Sequence, residues 1–201
     1  ELSILNTILD NEKDENQRMD LTLQKARIHK STVNWKDAVK VLMPYSKSKS
    51  QTILKELGNA LCRLHRGSPS GRKYGQGQGF LKQSADMDPN DAETFGFLAW
   101  SWEPLDSRKA EKYYAEAYGL RPTNPYYLAS FLEFELANGK HFPGISLLEP
   151  AMRAAIRSCR AHADVNIELP RSLFVIGRFH LLLGKPDQGL SAYIEAVDIC
   201  L

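Results

Sequence analysis

The chain has 201 residues, 43% hydrophobic and 25% charged, ordinary globular values that supply enough apolar material for a full core and argue against wholesale disorder. Its formal net charge of +2 sets 26 Lys and Arg against 24 Asp and Glu, so nucleic acid or a membrane surface could be met only by a local patch. Cys62, Cys159 and Cys200 are too few and too scattered for a disulfide framework, which points to a reducing, cytoplasmic setting, and no run approaches the roughly 20 apolar residues of a membrane span.

In chain order, Leu2, Ile4, Leu5, Ile8 and Leu9 fit one face of a short helix, followed by a polar run to Gln17. A less regular helix is expected over Met19–His29, and a third over Trp35–Tyr45 with Asn34 as its N-cap. After the polar hinge Ser46–Ser50, the positions Ile53, Leu54, Leu57, Ala60, Leu61 and Leu64 step by three and four through a strong amphipathic helix. Five glycines, a proline and two serines between Gly67 and Gly79 predict an exposed loop, with a helix resuming near Gly77 and running to Pro89.

From Asp91 a helix carries Phe95, Phe97, Leu98, Trp100 and Trp102, is interrupted at Pro104, and gives way to a second one capped by Ser107 and stopped by Pro122. Tyr126 to Leu136 follows, ending at Asn138-Gly139, where both residues tolerate a left-handed backbone. A longer helix is expected from Ile145 to about Arg160 and a linker over 162–170. Two further helices are expected, one stopped at Gly184 and one reaching Ile199. No stretch alternates like a strand, so the expected class is all-α. Leu201 falls inside a helical pattern, which suggests a piece of a longer chain.

A repeat runs through these elements. Pro89 and Pro122 stand 33 residues apart and bracket a helix pair whose second member carries Ala110, Tyr114 and Ala117, spaced four and three apart. The same small-large-small order recurs as Gly77, Leu81 and Ser84, as Gly144, Leu148 and Ala151, and as Gly189, Tyr193 and Ala196. First helices carry Leu57-Gly58 with Leu61, Leu98-Ala99 with Trp102, and Ile176-Gly177 with His180. Small residues let two helices approach, and the large one fills the space against the neighbour.

These residues resemble the tetratricopeptide repeat family over about Trp35 to Ile199. The resemblance implies an α-solenoid, a right-handed superhelix of four to five antiparallel helix pairs, which acts as a protein-interaction scaffold or adaptor binding a peptide or partner helix on its concave face. One repeat domain is expected over 1–201, with irregular helices in 1–34 and inserted loops near 67–76 and 162–169. Neither catalytic set, cofactor fingerprint nor metal-ligand spacing stands out, so no enzymatic role is expected.

Lys55 and Asn59, flanking Leu57-Gly58, match in type and spacing two positions with which some family members hold a chaperone's C-terminal carboxylate. The corresponding later places, Phe97, Tyr126 and Ser130, cannot donate the charge-assisted hydrogen bonds that a carboxylate needs. The concave-face residues expected to meet a partner are Lys55, Asn59, Phe97, Trp102, Tyr127 and Ser130.

Gly75-Gln-Gly-Gln-Gly79 could cradle a phosphate, but it lacks a preceding strand and reads as an ordinary loop. Arg153, Arg157 and Arg160 lie on one helical face and could meet an anion, although a solvated face is the plainer reading. A nucleic-acid or anion-binding module built on that stripe, or on Arg63, Arg66, Arg72 and Lys73, is the alternative function, with a regulatory repeat region of a larger enzyme as another. Self-association is compatible with either.

Overall fold

The structure, a computed structural model, describes residues 2–139 and 145–200. Among these residues every regular element is helical: α1 (Leu2–Asn11), α2 (Glu15–Ser31), α3 (Trp35–Leu42), a single 3-10 turn at Met43–Tyr45, α4 (Gln51–Leu64), α5 (Arg72–Met87), α6 (Ala92–Trp102), α7 (Ser107–Leu120), α8 (Pro125–Ala137), α9 (Ile145–Asp164), α10 (Arg171–Leu182) and α11 (Pro186–Asp198). The helices gather into two compact units, Glu1–Asp106 and Ser107–Leu201. The division falls between α6 and α7, inside the stretch that the sequence marks as its most regular repeat.

Local signals end several helices where the sequence expects, although Ser107, expected as a cap, is the first residue of α7 and its hydroxyl donates to Asn138 Oδ1 at 2.7 Å. Asn34 Oδ1 accepts the Asp37 amide at 3.2 Å and starts α3, and Asn124 and Asp91 cap α8 and α6 in the same way. Gly139 and Gly184 adopt φ values of +77° and +69° just past the ends of α8 and α10, a conformation that costs a residue with a Cβ far more.

In the first unit α4 and α5 pack as an antiparallel pair. The Ser84 hydroxyl donates to the Gln51 carbonyl at one end, Gly58 and Gly77 meet in the middle, and the Cys62 thiol lies 3.7 Å from the Tyr74 carbonyl at the other. α3 packs on α2 and α4, and Leu23, Leu42, Ile53, Leu57 and Phe80 close the core. In the second unit α10 and α11 are antiparallel, with the Tyr193 ring lying over Gly177, and Leu132, Met152, Leu173 and Phe179 fill the interior. Gly77, Leu81 and Ser84 are buried, as are Ala110, Tyr114 and Ala117, while Tyr193 is half-buried between buried Gly189 and Ala196. Leu148 and Ala151 are half-buried against the second core, and Gly144 of that triplet lies outside the described residues.

The glycine-rich segment departs from expectation. Only His65–Gly71 is loop, and α5 begins at Arg72, so Gly75, Gly77 and Gly79 are helical and cannot form a phosphate cradle. Each glycine costs a helix about 1 kcal/mol relative to Ala. Burial of Tyr74, Phe80, Leu81 and Ala85 at steps of one to six along one face outweighs that cost. The second inserted stretch is also shorter than expected, because α9 continues to Asp164 and leaves 165–170 irregular.

Candidate functional site

In the first unit α4 touches α2 on one side and α6 on the other, so the first helices of successive pairs lie side by side. Their facing side chains are cross-linked by charge. The Lys30 ammonium from α2 binds Glu56 of α4, which is almost fully buried, and Arg27 approaches the same carboxylate at 3.8 Å. The Lys55 ammonium donates to Asp91 at 2.9 Å and to Glu93 at 2.8 Å. Gln51 and the Thr94 hydroxyl also donate to Asp91. Burial alone would raise the Asp91 carboxyl, but these donors outweigh it and hold the group down at about 2. Burial likewise works against the Lys55 ammonium, and the two carboxylates raise it regardless.

Aromatic rings alternate with these pairs. The Lys30 ammonium stands 5.5 Å over the Phe97 ring. Trp100 is half-buried between two guanidinium groups, Arg63 at 3.9 Å and Arg66 at 4.1 Å, and Arg63 also lies 5.7 Å from Trp35. Arg66 is anchored further by donating to the Trp100 carbonyl and to Glu103. Between the Lys55 and Arg63 clusters sits Asn59, 4% exposed, whose side-chain carbonyl oxygen has no hydrogen-bond partner. A buried acceptor without a donor costs about 1–3 kcal/mol, and among the described residues only the Asn59 carbonyl oxygen and the His180 Nδ1 are stranded in this way.

The residues singled out in the sequence are placed unevenly. Lys55 and Asn59 lie one turn apart on α4, and Phe97 and Trp102 lie half-buried on the neighbouring α6. Tyr127 and Ser130 are half-buried on α8 in the second unit. Lys55 is consumed by two carboxylates of its own unit, which removes the positive charge that a bound C-terminal carboxylate would need. Trp100 and its arginines were not legible as a site, because Arg63 and Arg66 read as part of a basic loop cluster. The fold instead sends both to Trp100 and leaves Arg72 and Lys73 on α5.

Arg153, Arg157 and Arg160 do share a face of α9, but Arg153 pairs with Glu149 at 2.5 Å and Arg160 with Glu195 at 2.9 Å. In the same unit the buried Tyr126 hydroxyl lies 2.9 Å from Ser172 Oγ and 3.1 Å from His162 Nδ1, with Arg171 4.3 Å above its ring. Ser172 Oγ also reaches the carbonyls of Ile167 and Glu168, so this network tethers the irregular 165–170 segment to α8. His180 is half-buried on α10 with Nδ1 unpartnered, and burial, then Lys185 and Arg160, lower its pKa. No group of three or more His, Cys, Asp or Glu among the described residues is placed to hold a metal, and no described helix is long and apolar enough to cross a membrane.

No family profile matches the sequence, and no curated protein does. Solved structures do share its fold. The Thermus thermophilus protein TTC0263, a tetratricopeptide-repeat protein, superposes with a TM-score of 0.60 at 17% identity, over 90% of this chain and 88% of that one. PilF of Pseudomonas aeruginosa gives 0.55 at 15% identity over 88% and 73%, and MamA gives 0.54 at 15% over 86% and 92%. The chain therefore has an all-α, tetratricopeptide-type α-solenoid fold, as its repeat pattern implies.

Proposed function

We propose that this chain is a protein-interaction scaffold that acts by binding, and that the α2–α4–α6 face of its first unit docks a polypeptide. The observation that carries this reading is the Asn59 carbonyl oxygen, buried and unpartnered on α4 one turn from Lys55 and one turn from Arg63, whose guanidinium lies over the half-buried Trp100 ring of the neighbouring α6. Once docking displaces the groups that cover it, that oxygen can accept a backbone N–H from an extended or helical segment, while the rings take an apolar side chain. Because the Lys30, Lys55 and Arg66 charges are already matched by carboxylates, the surface favours an uncharged stretch of peptide over a free carboxylate. Phe97 and Trp102 belong to this surface, and Tyr127 and Ser130 on α8 are the candidate positions of the second unit.

The test is retention of polypeptides by the immobilised chain, compared with Asn59→Ala, Trp100→Ala and Tyr127→Ala. Asn59→Ala removes a stranded acceptor, which stabilises, and leaves a small void, which costs, so stability should change by no more than about 1 kcal/mol while retention weakens about tenfold, the value of one well-placed hydrogen bond in a dry site. If nothing is retained, or if Asn59→Ala and Trp100→Ala retain as much as the parent, the reading is wrong.

A further inference from the structure

A groove of about 790 Å³ opens on the other side of the first unit, between the outer helices α3 and α5 and above the end of α4. That volume is within the roughly 300–1,000 Å³ typical of ligand sites. It exists because α3 is short: the helix stops at Leu42 and the chain turns through Met43–Tyr45, while the His65–Gly71 connector sets where α5 starts on the opposite wall. Its floor is apolar, made by Val39, Met43 and Pro44 from one side and Leu61 and Leu64 from α4.

Its rim has one sign of charge. Lys36 and Lys40 stand on α3, Lys73 on α5, and His65 at the end of α4, and no carboxylate lines the groove. The three lysines are exposed and make no ion pair among the described residues. Elsewhere in this unit Lys30, Lys55 and Arg66 are each matched by a carboxylate, so unpaired cations around an apolar floor set this place apart from the α2–α4–α6 face. Lys36, Val39 and Lys40 follow steps of three and one along α3, and Met43 continues that face at the start of the 3-10 turn, with Lys73 across from them.

We infer that the α3–α5 groove is a second docking site, which takes an amphipathic helical segment of a protein partner whose apolar face is flanked by Asp or Glu. The apolar anchors of that segment lie on Val39, Met43, Leu61 and Leu64, and its carboxylates meet Lys36, Lys40 and Lys73. A helix suits the site because the apolar stripe of a two-turn partner matches the two-turn face of α3. The cationic rim steers the approach and selects against basic or neutral helices, so binding weakens as salt rises.

The experiment uses fluorescence anisotropy of the intact chain with a labelled synthetic peptide of about four helical turns, leucines on one face and glutamates flanking them. Controls are a scrambled peptide of the same composition and one with lysines for glutamates. The proposal expects saturable binding of the glutamate peptide only, weakened about tenfold or more in Lys36→Glu/Lys40→Glu, restored in that variant by the lysine peptide, and unchanged in Trp100→Ala.

Restoration by the charge-swapped peptide also shows that the variant is folded. The proposal fails if the scrambled or lysine peptide binds the parent as tightly, or if the double substitution has no effect. Loss of binding in Trp100→Ala would move the peptide to the α2–α4–α6 face and overturn the assignment of the groove. Sedimentation with phosphatidylserine vesicles that depends on Lys36 and Lys40, without peptide binding, would assign the rim to a membrane surface instead.

Discussion

Gly58 of α4 and Gly77 of α5 face each other where the two helices cross, and replacing either by Ala should separate them. A Cβ on Gly58 would stand 2.8 Å from the Gly77 carbonyl oxygen and 2.9 Å from the Leu81 amide nitrogen; both are backbone atoms, so no side-chain rotation relieves the contact. A Cβ on Gly77 would meet Cys62 Sγ at 2.8 Å and the Gly58 carbonyl oxygen at 2.9 Å. Ordinary contact begins near 3.4 Å, so the helices must part by about half an ångström along a buried face. Overpacking of this kind costs about 1–3 kcal/mol, and a clash against backbone belongs at the upper end. The better helix propensity of Ala returns about 1 kcal/mol, leaving each variant destabilised by about 2 kcal/mol.

Gly75 and Gly79, on the same helix, are the matched controls. Nothing lies within 4 Å of a Cβ at either, so Ala there should stabilise by up to about 1 kcal/mol. Urea unfolding followed by tryptophan fluorescence reads the first unit alone, since Trp35, Trp100 and Trp102 all belong to it. With a slope of about 1.5 kcal/mol per molar urea, Gly58→Ala and Gly77→Ala should each lower the midpoint by about 1.3 M. The double variant should lose clearly less than the sum, because the first methyl already separates the helices. A Gly58→Ala midpoint equal to the parent's, or a loss in Gly75→Ala as large, would refute the close-crossing argument.

Three further outcomes follow from the geometry. Since donors hold Asp91 down at about 2, below the ordinary carboxylate value of about 3.9, its stabilisation is complete above about pH 4 and lost as the pH falls toward 2. It amounts to at most about 2.6 kcal/mol. Asp91→Asn should flatten that part of the urea-midpoint profile, and a slope identical to the parent's would count against the Lys55–Asp91 account. Of the three thiols, Cys62 and Cys159 are buried and raised by that burial to about 12, while Cys200 is exposed. Ellman's reagent should therefore titrate Cys200 alone quickly in the folded protein and all three in denaturant; fast reaction of a second thiol contradicts the described core. Tyr126→Phe removes the hydroxyl shared by Ser172 and His162 and should cost about 1 kcal/mol, read as a drop of a few degrees in a circular-dichroism melt.

Helix existence and ends were largely legible. Asn34, Asn138-Gly139 and Gly184 act through backbone geometry within a turn or so of themselves, so their effect can be read locally. The small-large-small triplets were legible for a related reason: periodic burial leaves its period in the sequence, and the buried Gly77, Leu81 and Ser84 show it. Gly75 and Gly79 misled the reading because glycine propensity is a local preference, whereas the helix there is held by Tyr74, Phe80 and Leu81 packing on another element.

The interaction surfaces divide in the same way. The residue types at Lys55 and Asn59 and their one-turn spacing were visible, but not that Lys55 is neutralised by Asp91 and Glu93, which lie 36 and 38 positions away. Nor could the chain order separate Arg63 and Arg66, which flank Trp100, from Lys73, which stands over the groove beside Lys36 and Lys40. Helix pairs with close crossings at defined small residues are written in the chain order, because steric fit and hydrophobic burial recur with the helical period. Which cations are matched and which polar atoms are stranded depends on the packing of the helices, because Coulomb attraction and hydrogen bonding act over distances through space that chain order does not reveal.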